Sequence, residues 1–205
     1  MSVNTATKED LIQEQILQAA KELFAVHGLA KVTMDDVAKA IGKGRSSLYY
    51  YYKSKDEIVD AVINMEIKEI RTAMQKAVDQ AVTIEEKINA FFVSKLKFVR
   101  LKGPFFDALE SGMDADAISN FYQTKVVYHD GTLKWEGALL TQILADGIKK
   151  GELQMVGNND METLIFVLLS SLHGLKREMR MEKNRREIEP VICQFTRMIM
   201  HGLYK

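Results

Sequence analysis

Cysteine, proline and net charge are what this chain has least of, and each shortage excludes a class of protein. One cysteine in 205 residues, Cys193, cannot form an intramolecular disulfide framework or a cysteine-based zinc site. Set within an apolar stripe, it reads as a packed thiol rather than a redox sensor. Two prolines leave long stretches free of helix breakers. The 28 basic and 28 acidic residues cancel, so the chain is not a uniformly basic nucleic-acid binder, and any charge directed at DNA must be local. The longest charge-free apolar stretch, 163–175, is too short to cross a bilayer. The start, MSVNTATKED, lacks a signal pattern. These absences predict a cytoplasmic, soluble protein.

Catalytic signatures are also missing. There is no P-loop and no dinucleotide fingerprint. His27, His129, His173 and His201 have no paired metal-ligand spacing. Asp107, Asp114 and Asp116 cluster, but a helix N-terminus explains them as well as a metal does. No enzyme, metal or cofactor is expected.

What is present is helical periodicity, with 47% hydrophobic residues to build a core. The expected class is all-α with about nine or ten helices. A three-helix unit over 1–55 is followed by a larger helical bundle over 56–205. Ile12, Ile16, Ala19, Ala20, Leu23 and Phe24 form one stripe, which Gly28 ends. Residues 1–8 are expected to fray. Thr33 and Asp36 form a capping box for a two-turn helix that Gly42 stops. The next short helix carries Arg45, Ser46, Ser47 and four consecutive tyrosines, 49–52, with Leu48 facing inward. Between residues 39 and 55 stand Lys39, Lys43, Arg45, Lys53 and Lys55 and no acid. In a chain of zero net charge this patch suits phosphate attraction, and the hydroxyls and guanidinium suit phosphate oxygens and base edges.

Residues 12–58 resemble the DNA-binding domain of the TetR family of transcriptional regulators. The shared features are Ile16-x-x-Ala19-Ala20-x-x-Leu23-Phe24-x-x-His27-Gly28, then Thr33-Met34-Asp35-Asp36-Val37-Ala38, Gly42, and Leu48 through Lys55. The resemblance implies that Thr33, Tyr49 and Lys55 hold DNA phosphates. It implies that Lys43, Gly44, Arg45, Ser46, Ser47 and Tyr50 face the major groove. Gly44 departs from the family's usual capping serine, and Tyr50 from its usual histidine. The resemblance further implies a homodimer whose two readers meet half-sites near 34 Å apart on a palindromic double-stranded operator. It also implies a small-molecule effector in the C-terminal part.

Ser54 to Glu57 read as a capping box opening a long helix of about 25 residues, nearly 40 Å, which could act as a lever on the reader. Another helix starts at Thr83 and is expected to break at Gly103-Pro104. Helices over 115–127 and 132–150 are expected to be separate, and Val126-Val127-Tyr128 could be a strand in isolation. Residues 164–169 are apolar all round, so their helix is expected to bury one side in the chain and the other in a second copy. The candidate dimer residues are Leu140, Ile143, Leu164, Val167, Leu168, Ser171 and Leu175. The candidate ligand pocket comprises Phe91, Phe92, Phe105, Phe106, Tyr122, Trp135, Phe166 and His173, with Phe121 and Met155 beside them. Ordinary core packing is the competing account of each. No buried charged pair stands out. The basic run over 176–186 reads as a solvated helix end.

The expected function is a ligand-responsive, sequence-specific transcriptional repressor released by a small apolar or aromatic-containing molecule. The alternatives are a sequence-tolerant architectural DNA-binding protein and a non-catalytic helical interaction module.

Overall fold

The computed structural model describes residues 7–154, 158–181 and 186–203; Met155 and part of the basic run lie outside them. Eight α-helices are found among the described residues: α1 (Lys8–His27), α2 (Met34–Ala40), α3 (Arg45–Tyr51), α4 (Lys55–Gln80), α5 (Ile84–Leu109), α6 (Ala115–Lys149), α7 (Asn158–Met181) and α8 (Ile188–Leu203). The count falls below nine because two expected breaks do not occur. α5 continues through Pro104, although proline removes the N–H that would meet the Arg100 carbonyl. Phe105 and Leu109, both buried beyond the proline, hold the last turns in place. α6 runs unbroken through Gly131, since one glycine weakens a helix by only ~1 kcal/mol against alanine. Val126-Val127-Tyr128 is therefore helical, the surrounding helix overriding a weak β preference.

The helix starts follow their caps. Thr33 and Asp36 close the expected box, with Asp36 N to Thr33 Oγ1 at 3.3 Å and Thr33 N to Asp36 Oδ2 at 2.9 Å. Thr7 does the same with Asp10 at 3.1 and 2.8 Å, so a residue expected in a frayed arm instead anchors α1. Ser54 Oγ accepts from Glu57 N at 3.2 Å, but the Glu57 carboxylate reaches back to Lys53 N at 2.6 Å rather than to Ser54. Asp114 accepts from Ala117 N at 2.8 Å and so caps α6.

The chain divides into two compact units, Met1–Glu69 with Lys102–Phe121, and Ile70–Leu101 with Tyr122–Lys205. Residue 55, where the reader was expected to end, lies inside the first unit. That unit buries Ile16, Ala20 and Phe24 of α1, Val37 and Ala38 of α2, Leu48 of α3, Ile58 and Val62 of α4, and Phe105 and Leu109 of α5. Gly28 is fixed by this packing. Its φ of 76° and ψ of 158° lie in a region only glycine occupies readily, and an added Cβ would stand 2.5 Å from the Ser111 carbonyl oxygen. Next to it, Leu29 N donates to Leu109 O at 3.3 Å.

The first unit also holds a buried charge cluster. Glu66 of α4 is 0% exposed and is paired with Lys21 of α1 and with Lys102 of α5, the latter at 2.7 Å. Lys102 also meets Glu69 at 2.9 Å. Burial opposes the charge on Lys102, but the two carboxylates together outweigh it and raise its pKa.

The second unit is built on Met74, Ile88, Phe91, Phe92, Leu140, Leu144, Leu172 and Ile192, all deeply buried. No helix among the described residues is long and apolar enough to cross a membrane.

Candidate nucleic-acid interface

The first unit places α2 against both α1 and α3. α3 is held from below by Leu48, which is completely buried. Burying that one side chain turns Arg45, Ser46 and Tyr50 outward, and Lys43 and Gly44 lie exposed just ahead of the helix. Ser47 and Tyr49 are half-buried at its edge. Gly44 is the N-cap and makes no side-chain capping bond, so the first turn leaves backbone N–H groups available to an acceptor.

Arg45 is held in position before any DNA arrives. Its Nε lies 3.3 Å from Asp35 Oδ1, its Nη2 donates to the Tyr49 hydroxyl at 3.2 Å, and its guanidinium sits 5.4 Å from the Tyr49 ring centre. The bond to Tyr49 and the charge of Asp35 both favour its cationic form. This arrangement fixes a planar donor group at the start of an exposed helix, and its Nη1 also donates to Asp35 Oδ2 at 3.4 Å. Lys53 Nζ donates to the Tyr49 and Tyr50 carbonyls at 3.0 and 3.5 Å, neutralising the C-terminal end of α3. Tyr50 is 67% exposed, and its hydroxyl lies 3.5 Å from Glu9 Oε1. Burial raises the pKa of Tyr52, which turns partly inward.

Two of the expected phosphate-holding residues also have structural partners. The Thr33 hydroxyl donates to Asp36 Oδ2 at 2.6 Å while remaining at the surface. Lys55 Nζ donates to the Leu29 carbonyl at 3.0 Å and is half-buried. Asp35 and Lys53 were not singled out as site residues. Their signal was the spacing itself, since an acid in the first turn of α2 and a lysine just beyond α3 frame the helix that Arg45 opens.

The ligand-pocket candidates are divided between the two units. Phe105 and Phe106 belong to the first unit, where their rings meet edge to face at 5.4 Å. Phe91 and Phe92 are fully buried in the second unit. Trp135 is half-buried with the Arg71 guanidinium 5.6 Å from its ring centre. Tyr122 and Phe166 are exposed. Of the dimer candidates, Leu140, Ile143 and Leu168 are buried in the chain's own core, and Leu164, Ser171 and Leu175 are half-buried. Val167 is 50% exposed and Phe166 is 71% exposed, so α7 does present apolar side chains to its surroundings.

Against the expectation that no buried charged pair stands out, one is present in the second unit. Lys95 of α5 contacts Glu136 of α6, and Glu136 is 0% exposed. Half-buried His173 of α7 feels that pair. Burial, then the charges of Lys95, Lys176 and His129, push its pKa from 6.5 down to about 4. The native state therefore holds a neutral imidazole, while the unfolded chain takes up a proton below pH 6.5. Stability from this residue is fully present above pH 6.5 and is lost as pH falls through 4. A melting series from pH 7.5 to 4 should fall more steeply for the parent than for His173→Gln; parallel curves would show that His173 carries no such linkage.

A basic, hydroxyl-rich helix held outward by a second short helix defines the class: a helix-turn-helix DNA-binding protein. Comparison with known proteins sharpens this. Residues 16–62 match the family described as bacterial regulatory proteins, tetR family. The HTH-type transcriptional regulator YhgD of Bacillus subtilis is 26% identical over 157 residues, 75% of this chain and 76% of that protein. The HTH-type transcriptional repressor KstR2 of Mycolicibacterium smegmatis is 27% identical over 99 residues, 48% of each chain. A TetR/AcrR-family transcriptional regulator from Thermobifida fusca superposes with a TM-score of 0.65 at 23% identity, covering 93% of this chain and 97% of that one. Residues 16–62 carry the DNA-binding domain of the TetR family of transcriptional regulators, a family of DNA-binding proteins and not of enzymes.

Proposed function

We propose that the protein is a cytoplasmic, homodimeric repressor that holds a palindromic operator through α3 and releases it when a small molecule occupies the second unit. The observation that carries this reading is the outward α3 with its pre-aligned Arg45, in a chain whose relatives include a named repressor. Lys43, Gly44, Arg45, Ser46, Ser47 and Tyr50 are assigned to the major groove, and Thr33, Tyr49 and Lys55 to phosphates. α4, α5 and α6 each contribute residues to both units, which makes all three covalent routes for an effector signal. Full release requires the effector to favour the non-binding state by several kcal/mol.

Selection from a random DNA pool tests this directly. Enrichment of one inverted repeat with half-site centres about 10 base pairs apart is expected. Recovery of DNA without a shared sequence would favour the architectural alternative. The dimer is assigned to the exposed side of α7. Val167→Asp would place an unpaired carboxylate in that contact and should weaken self-association at least a hundredfold, with the helical content kept. An unchanged sedimentation profile would remove α7 from the interface.

A further inference from the structure

We propose that Glu136 is the polar anchor of the effector site, and that the site takes a neutral, apolar molecule bearing a hydroxyl group. This rests on the reading that the second unit binds an effector. The starting observation is an imbalance. Glu136 Oε1 is paired with Lys95 Nζ, but Oε2, equally buried, has no hydrogen-bond partner. A buried carboxylate normally has its lone pairs satisfied, and an orphaned oxygen destabilises the fold unless something supplies a donor. The helix faces beside the pair are apolar: Phe91 lies one turn before Lys95 on α5 and Leu140 one turn beyond Glu136 on α6, and both are completely buried.

The polar groups near it form a graded series. His129 is exposed, with its ring 5.5 Å from that of half-buried His173. His173 lies in the field of Lys95, whose side chain is 13% exposed, and Lys95 meets Glu136 at 1%. Polarity thus runs from the surface to one unsatisfied acceptor inside. Among the described residues no three His, Cys, Asp or Glu side chains converge as a metal site, so these histidines are not read as ligands of an ion.

Charge selects the class of molecule. A second ammonium entering here would lie beside Lys95, and like charges at such range in a dry site repel strongly. A carboxylate would take Lys95 from Glu136 and leave that residue buried without a counterion. A hydroxyl avoids both penalties. Its O–H donates to Glu136 Oε2, and its oxygen accepts an N–H from Lys95 or from the neutral His173. A ketone of the same shape can accept but cannot donate, so it leaves Oε2 unsatisfied.

The probes are four molecules of one chain length: 1-decanol, 2-decanone, decanoate and decylamine. Binding is read by calorimetry and by the fluorescence of Trp135, the chain's single tryptophan and the neighbour of Glu136. Decanol should bind at least tenfold more tightly than each of the other three. Glu136→Gln should reduce decanol affinity at least tenfold. A second variant, Lys95→Met with Glu136→Leu, replaces the pair by apolar side chains of similar size, a change such sites tolerate. It should bind decanol and 2-decanone alike. Decanoate or decylamine binding as tightly as decanol, no binding by any probe, or an alcohol preference surviving in both variants would overturn the proposal. Operator affinity is measured on the same samples. Decanol binding that depends on Glu136 but leaves operator affinity unchanged would support the site and defeat the release mechanism. Operator binding with no decanol response at either level would do the reverse for the site alone.

Discussion

Replacing Arg45 with alanine should weaken binding to the selected operator by roughly thirtyfold or more, one contact being lost in each of two half-sites, while affinity for random DNA falls much less. A bidentate arginine–guanine contact contributes about 1–3 kcal/mol of discrimination. Arg45 is placed to make it, because Asp35 and Tyr49 fix its guanidinium from two sides without hiding it. Loss of the fork should relax preference at one base pair in each half-site. Lys55→Ala gives the contrast. As a phosphate contact in each half-site, its loss should lower affinity on all sequences and shrink the salt slope by about two. Anisotropy titrations on operator and random duplexes at several salt concentrations separate the two. Equal losses on both duplexes for Arg45→Ala would reassign Arg45 to the backbone. No loss on either would remove α3 as the reading helix. Tyr49→Phe should act in the same direction and more weakly, because it removes one of the two supports of Arg45 and leaves the ring beneath it.

The reader could be found in the sequence because local chemistry specifies it. Caps, turn glycines and a single inward leucine act over a few residues, so Thr33, Gly28, Gly42 and Leu48 stand where periodicity puts them. The larger part was harder for a definite reason. Gly103-Pro104 looks like a stop, and packing at Phe105 and Leu109 carries α5 through it, while α6 tolerates Gly131 at small cost. The same holds for burial. Leu140, Val167 and Leu168 are equally apolar, and nothing local says which faces the chain's own core. One signal was present and overlooked. Glu66 follows Ile58 and Val62 at four-residue spacing, and Glu136 stands between Leu133 and Leu140 on one face of α6. A charged residue inside an apolar stripe marks a buried pair, and both glutamates are fully buried with lysine partners.

Glu66→Ala should destabilise the protein by about 3–5 kcal/mol, the usual cost of breaking a buried ion pair by removing one partner. The loss is not mainly that of attraction. Lys21 and Lys102 would be left facing each other across a cavity, each already largely withdrawn from water with side chains 23% and 17% exposed. Lys102 would keep Glu69, but Lys21 has no other ion-pair partner among those found for the described residues. Because both lysines retain some solvent contact, their long stems can carry the ammonium groups outward, which favours the lower end of that range. For a chain of this size the melting temperature should drop by roughly 6–20 °C. The pair Lys21→Met with Glu66→Met should recover most of the loss, since two flexible apolar side chains fill the space and Lys102 still meets Glu69. If the double variant is as unstable as Glu66→Ala, the cluster acts by attraction rather than by avoiding unpaired charge. The functional consequence follows from what Glu66 joins. It ties α1, which supports the reading helix through α2, to α4 and α5 in one unit. The stabilised double variant should therefore fold well yet show altered operator affinity. Unaltered affinity would mean that apolar packing at Ile16, Phe24 and Ile58 alone sets the position of α1.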